Sequence, residues 1–547
     1  MRANLPPVRR PVLIAGAFFA AGSLCGQLSA AFAAPLAAAG AAAAVAALWI
    51  ALRLRGAGAS PASSLAACML AFALAWTSSA ISRDAQETQA RELRALMQSA
   101  QGRDIELAGF AASESVARQM GSGSAQLAFD FQIDSIAGAE TNVIAGAAIK
   151  VIWWGPASLA GAHPPFPLPR AGEGWRFTGR LKELAPRGIG APVFVFTVGR
   201  ARSAGRRDKA LDQPLPAAGL WMARKTAARI LSAGLEDRPQ AIAVAKAMTL
   251  GLRSDLPDEV ADFFRNSGTA HVFSISGLHV MLVARIIMTL LSALSLGIRA
   301  RSLAFAPAII AYTVMTGGAS SAVRACLMAL LYYGAPLFGR RPDPISALAG
   351  AASLILAIAP SQIADPGFAL SFICTGGILL MTPRFAALFE PLNAKLCPAP
   401  RRASEPRWLL ALKWLEASFS VSLAAWLASV PVTAAIFGQL TPIALLANLA
   451  IVPMSSLIVA SAASSLGFSI ISPWISEVFN AANAFLCDTM VRIASWCANL
   501  PGANFEVSSW GVWQSAIWFA ALSMLCHRLA SMEKKAQASA PEDIFQP

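Results

Sequence analysis

Two of the chain's four histidines lie in one short polar stretch, Gly268-Thr269-Ala270-His271-Val272-Phe273-Ser274-Ile275-Ser276-Gly277-Leu278-His279, at the mouth of an apolar run ending near Gly297. Imidazoles and hydroxyls opening into a hydrophobic span are costly to insert, so they mark a place where something polar is handled. On an uninterrupted helix His271 and His279 would stand about 12 Å apart along the axis and about 80° apart in direction, too far to share a metal ion. If Ser274 to Gly277 breaks the helix, the rings converge and a new helix beginning near Leu278 points its free N–H groups at an anion. The other reading is that both histidines cap helices and bond to carbonyls. Ser276 with either histidine would make a nucleophile and base, but no third group orients the base.

A second break follows at Thr316-Gly317-Gly318-Ala319-Ser320-Ser321-Ala322-Val323-Arg324. It sets Gly317, Ser320 and Ser321 at another helix start and Arg324 one turn inside a span, where a guanidinium must snorkel, pair or meet a polar substrate. Asp365, in the Asp365-Pro366-Gly367 turn, is a candidate partner for Arg324 if both lie on one side. Gln439, in Gly438-Gln439-Leu440-Thr441-Pro442, and Asn448 are polar groups that a span does not need. Each either lines a path or bonds to a neighbouring helix. Half-helices with polar ends at membrane depth are how transporters build binding sites.

The elements that must hold these residues are mostly membrane spans. Across 547 residues only 14% are charged, and mean hydropathy is +0.55, far too apolar for a soluble domain. Arg2, Arg9 and Arg10 precede an apolar run from Val12 to Ala33, and Ala31-Phe32-Ala33 imitates a signal-peptidase site. Further runs follow at once, Leu36 to Leu52 and Leu65 to Ile81, so all three read as spans. The leading arginines go inside, which places everything after Arg83 outside.

That external segment opens with a polar helical stretch, 83–103, and continues as strands near 105–111, 126–134, 143–154, 175–181 and 193–198. Five short strands between Gly/Pro/Ser turns fit a small barrel of the OB type. Arg176, Arg180, Lys182, Arg187, Arg200, Arg202, Arg206, Arg207 and Lys209 crowd its last third, with Trp153, Trp154 and Trp175 nearby. A basic groove with aromatic platforms is how such folds hold single-stranded nucleic acid. Alternatively the tryptophans are core or membrane-facing and the arginines meet lipid headgroups. The net charge of +14 decides nothing, because arginines at membrane edges account for it as well as a nucleic-acid partner does.

Residues 220–235 and 240–250 read as amphipathic helices on the outer surface, with Ala227, Ile230, Leu231 and Gly234 on one side and Arg224, Lys225 and Arg229 facing headgroups or water. From His271 apolar runs follow at 272–297, 302–317, 321–338, 344–359, 367–382, 415–437, 443–471, 478–500 and 510–526. Charge asymmetry and run length agree on about twelve spans with both termini cytoplasmic. No His-Glu-x-x-His, Gly-x-Ser-x-Gly or phosphate-loop motif occurs, and carboxylates for two-metal chemistry are few in the polytopic part. Translocation is favoured over hydrolysis, and no metal or other cofactor is expected.

Four segments in order, His271-Val272-Phe273-Ser274-Ile275-Ser276-Gly277-Leu278-His279-Val280, Thr316 to Ala325, Asp365-Pro366-Gly367-Phe368-Ala369-Leu370-Ser371-Phe372, and Phe437 to Pro442 leading to Asn448, resemble the ComEC-type competence protein family. With the N-terminal spans and the barrel, the resemblance covers nearly the whole chain. It implies an inner-membrane channel that passes one DNA strand into the cytoplasm, the barrel receiving DNA on the periplasmic side. Implied partners are single-stranded DNA, the bilayer, a periplasmic DNA receptor, an ATP-driven motor and a separate nuclease, with a monomer and a homodimer both open. Many family members carry a C-terminal metallo-β-lactamase-like domain; no His-x-His-x-Asp-His cluster occurs here, so the chain reads as a short form. The expected division is 1–82 N-terminal spans, 83–215 barrel, 216–268 surface helices, 269–530 channel domain and 531–547 tail. Transport of another anion or an envelope precursor is the alternative.

Overall fold

A computed structural model describes residues 86–100, 103–111, 116–119, 124–136, 148–156, 169, 173–184, 193–198, 205–208, 218–253, 256–389, 407–507 and 510–538. The three expected N-terminal spans, and Arg187, Arg200, Arg202 and Lys209 of the expected basic surface, lie outside the described residues. The described residues divide into two compact units, one from 1–222 with 353–365, the other from 223–352 with 366–547.

The first unit holds a barrel. Its strands are β1 (Ile105–Ala111), β2 (Val116–Gln119), β3 (Ser124–Ile136), β4 (Ala148–Pro156), β5 (Gly174–Leu184), β6 (Val193–Val198) and β7 (Gly205–Arg207). They run in the order β1-β3-β4-β6-β5, and pairing of β5 back onto β1 closes the sheet. The β4–β6 pair is parallel and the rest antiparallel. The five expected strands are the five of the closed barrel; β2 and β7 are short additions on β3 and β5. Closure follows from strict alternation: Leu127, Phe129, Phe131 and Ile133 on β3, Ile149, Val151 and Trp153 on β4, and Trp175, Phe177 and Leu181 on β5 all turn inward. A helix, α1 (residues 86–100), lays Ala90 and Leu93 on the same core.

The second unit is helical. It begins with α2 (Ala218–Ile230, entering from the first unit), α3 (Pro239–Leu250), α4 (Asp258–Asn266) and a 3-10 turn (Ala270–Phe273). There follow α5 (Gly277–Ala293), α6 (Ile298–Met315), α7 (Ser320–Gly334), α8 (Pro344–Ile358, its last residues counted with the first unit), α9 (Pro366–Ala387), α10 (Arg407–Phe437), α11 (Ala444–Phe468), α12 (Pro473–Ala498) and α13 (Val512–Ala538). Each apolar run expected after His271 is therefore a helix. Two short strands, β8 (Gln439–Leu440) and β9 (Phe505–Glu506), pair beyond the ends of α10 and α12.

Five of these helices, α6, α7 with the turn that follows it, α9, α10 and α11, are long and apolar enough to cross a membrane. The chain is a membrane protein. Among the described residues α5 and α8 are apolar but shorter, at 17 and 15 residues. α12 is 26 residues long but carries Glu477, Asn480, Asn483 and Asp488.

Proline interrupts four of the helices, at Pro307, Pro383, Pro431 and Pro453. Each removes one N–H from the backbone ladder and leaves the carbonyl four residues earlier to find another donor.

Candidate substrate path

The helix break expected at Ser274 to Gly277 is present. After the 3-10 turn Ser274 and Ser276 are extended, and α5 starts at Gly277 with Ser276 as its N-cap, the Ser276 Oγ accepting from His279 N at 3.4 Å. His271 is exposed on the 3-10 turn, whereas His279 is fully buried in the first turn of α5. The His279 Nε2 lies 3.3 Å from Ser455 Oγ on α11, and Ser455 donates its own proton to Val452 O at 2.7 Å. His279 is therefore the donor, and it braces α5 against α11. No group of three His, Cys, Asp or Glu side chains suited to a metal occurs among the described residues.

The second break is bonded to the first. Thr316 ends α6, Gly317 and Gly318 take φ of +86° and +60°, and α7 starts at Ser320. Ser321 Oγ donates to Ile275 O at 2.9 Å and accepts from Ser274 Oγ at 2.8 Å. The starts of α5 and α7 are thus side by side, with Gly277, Leu278, Gly317, Gly318 and Ser320 exposed around them.

One turn into α7, Arg324 is 5% exposed and donates from Nη2 to Gly367 O at 2.9 Å, in the first turn of α9. The guanidinium thus bonds a main-chain carbonyl two residues beyond Asp365, which caps the 3-10 turn Pro360–Ala364. The fourth segment closes on the first: Gly268 (φ +72°) comes so near α11 that a Cβ there would meet Ala444 Cβ at 2.7 Å and Thr441 Cγ2 at 3.1 Å. Four segments far apart in sequence therefore meet at the ends of α5, α7, α9 and α11, all of which begin here. Gln439 pairs with Glu506 between β8 and β9. Asn448 sits in the second turn of α11, its Oδ1 shielded and without a hydrogen-bond partner among the described residues.

Two arginines that the sequence did not single out for this site belong to it. Arg224 of α2, expected to face headgroups or water, turns inward and donates from Nη2 and Nε to Leu250 O, at 2.8 and 3.2 Å, at the end of α3. Its guanidinium also fills the space beside Gly317, where a Cβ would lie 3.0 Å from Nη2. Arg253 Nε donates to Phe273 O at 2.8 Å, tying the α3–α4 loop to the 3-10 turn. Both cations sit on carbonyls at helix ends, as the helix dipole favours. The expected hydrophobic side of α2 is present, with Ala227 and Leu231 packed near Leu250 and Ala462. Asn480 of α12 holds the far end of α2 by donating to Ile230 O and Ala233 O, at 2.8 and 3.0 Å.

The barrel corrects part of the expected nucleic-acid surface. Trp153 and Trp175 are 1% and 2% exposed, in the core against Phe177, so neither is free to stack on a base. Trp154, the next residue in the alternation, faces out and is half-exposed. Arg176 is paired with Asp208 at 2.8 Å, Arg180 with Asp104 at 3.0 Å and Arg207 with Glu173 at 3.5 Å. Lys150, Lys182 and Arg206 are exposed and make no ion pair among the described residues. Glu183 is bonded by Arg94 at 2.6 and 2.9 Å, which holds its carboxyl below the usual range.

No solved structure matches the chain. ComE operon protein 3 of Bacillus subtilis (strain 168) is 27% identical over 147 residues, a match that takes in 27% of this chain and 19% of that protein. The family model described as Competence protein matches residues 248–532, from the end of α3 into α13, and so contains all four converging segments. That is just over half of the chain and agrees with the resemblance carried by those segments, so the chain belongs to the competence protein family.

Proposed function

We propose that the chain takes part in DNA uptake during natural transformation, as an inner-membrane channel that passes a single strand into the cytoplasm. The observation that carries this reading is the meeting of the helix starts at Ser274–Leu278 and Gly317–Ser321, exposed and bonded to each other. Helix starts offer N–H groups and the positive end of the dipole to phosphate. Membership of the competence family, together with the resemblance carried by the four segments, favours DNA as the substrate. His279, Arg324, Arg224 and Arg253 hold the mouth in shape through their hydrogen bonds, while Gly317, Ser320 and the exposed His271 line it; Gln439 and Asn448 are assigned to the path that continues from it.

On this reading the barrel captures the strand on the periplasmic side. Its strand order, three antiparallel strands followed by a closing pair with one parallel contact, is that of an OB-type barrel. Register sets Lys150 level with Val195 and Lys182, and Ile152 level with Thr197 and Arg180, so Trp154, Lys150, Lys182 and Arg180 share the outer face of β4, β6 and β5. Such a face binds by counterion release and stacking. On this reading a periplasmic receptor, an ATP-driven motor and a nuclease act with the chain, whose own part is translocation.

The test is transformation of a competent host with labelled homologous DNA, comparing wild type, a deletion and Gly317→Ala. Alanine at φ +86° costs about 1–2 kcal/mol in backbone energy and crowds the Arg224 guanidinium, which must shift slightly. Deletion should abolish transformants while labelled DNA collects outside the inner membrane, and Gly317→Ala, at normal membrane level, should reduce them. Unchanged transformation in the deletion overturns the reading; an envelope defect instead would assign the path to another anion.

A further inference from the structure

Pro431 stands in the last third of α10 and lacks the N–H that would bond to Leu427 O. In lipid such a carbonyl has no water to turn to, and one left unpaired destabilises the helix. The donor comes from another helix: the indole Nε1 of Trp518, on α13, reaches Leu427 O at 2.9 Å. Just beyond Pro431, Thr433 Oγ1 reaches the Ser429 and Val430 carbonyls, each at 3.1 Å. Trp518 is itself held edge-on by Trp510, 6.2 Å away, whose Nε1 donates to Ser515 Oγ at 2.9 Å. Leu522, Cys526 and Leu529 pack the next turns of α13 beside Ala424 and Ala428 of α10.

We propose that Trp518 is a positioning residue for the substrate path: its indole N–H replaces the backbone donor that Pro431 removes, and so sets the direction in which α10 continues beyond its proline. From Pro431 to Phe437 is about two turns. The chain then passes through Gly438 into β8, and Thr441 and Ala444 close on Gly268. The proposal rests on the reading of that convergence as the path, but the bond itself does not. The claim concerns the N–H and not the ring, which separates Trp518 from an ordinary packing residue.

The experiment is a double-mutant cycle in the purified full chain in detergent: wild type, Trp518→Phe, Pro431→Ala and the double variant. Phenylalanine keeps an aromatic ring and removes the donor, while alanine at 431 returns a backbone N–H to Leu427 O. Trp518→Phe should lower the thermal midpoint by about 1–2 °C. It should also change the rate at which a water-soluble maleimide labels Gln439→Cys. In the Pro431→Ala background the same substitution should change neither quantity. Trp518→Phe indistinguishable from wild type, or equal losses in both backgrounds, overturns the proposal.

Should Pro431→Ala fail to fold, the indole N–H resonance that Trp518→Phe removes is followed in deuterated buffer. Slow exchange supports the bond, and exchange at the rate of free indole overturns it. None of these measurements involves DNA, so failure of the uptake reading and failure of this one are distinguishable.

Discussion

The barrel and the helices from α5 onward are built with opposite senses of inside and outside. In the barrel the described buried side chains are apolar, seven of them aromatic (Phe129, Phe131, Trp153, Trp175, Phe177, Phe194 and Phe196), and Arg176, Arg180 and Lys182 of β5 face out. In the helices His279, Arg324, Ser455, Ser465, Ser476, Asn480 and Asn483 are buried, while Leu290, Leu303, Ile358, Ile470 and Trp513 are exposed. The difference is one of solvent. Water takes up the barrel's charges and expels its rings; hydrocarbon accepts leucine but offers nothing to an amide or hydroxyl, which must turn inward and bond to its own protein. Ser302 and Thr313 do so within their own helix, on Ile298 O and Ile309 O, and Asn480 does so across helices.

The contrast breaks most visibly in the barrel core. Phe177 touches Phe129, Phe131, Trp153 and Trp175, so Phe177→Ala should cost about 3–5 kcal/mol. Limited proteolysis of the full chain should then cut within β3–β5 while the helices stay protected; protection equal to wild type would mean that the barrel is not held by this core.

A charge placed on each exterior sharpens the same contrast. Leu303 on α6 is 69% exposed, and Leu303→Arg should cost about 1–3 kcal/mol of insertion, below the value at a helix centre because it lies near the end of α6. Thr178→Arg, on the outer face of β5, should stay within about 0.5 kcal/mol of wild type. Yield in the membrane fraction compares the two, and equal loss would show that the exteriors do not differ in solvent.

The smallest effect is expected from the water-facing pair Arg94–Glu183. Arg94 depresses the Glu183 carboxyl below its ordinary value near 4.5. The pair's contribution is therefore complete above that value and is lost as the pH falls through the depressed one. Glu183→Gln should flatten this acid dependence slightly, as seen in barrel near-UV circular dichroism between pH 5 and pH 3, roughly the window of carboxylate titration. A steeper dependence in the variant would contradict the assignment.

Local chemistry was legible in the chain; distant partnership was not. Period-two alternation marked the five barrel strands. The same alternation, carried one step further, separates Trp153, in line with Ile149 and Val151, from Trp154 on the other face. The ion partners of Arg176 and Arg180 are 32 and 76 residues away, so a run of arginines looked more basic than the folded surface is. Gly317-Gly318 and Ser274 to Ser276 announced helix breaks through their residue types. That Ser321 would bond to both Ser274 and Ile275, or that Arg224 would fill the space left by Gly317, depends on how helices pack, and no residue spacing carries that information.

The lengths of α5 and α8 have a consequence for the surrounding lipid. At 1.5 Å per residue they reach about 25 and 22 Å, against a hydrocarbon core of about 30 Å. Where helices of that length span, the lipids matched to them compress their acyl chains, at a fraction of a kcal/mol for each ångström. On the channel reading proposed above, a membrane thinned beside the Ser274–Ser276 break would present a shorter low-dielectric barrier, and the self-energy of a phosphate crossing there would fall with the thickness it has to traverse.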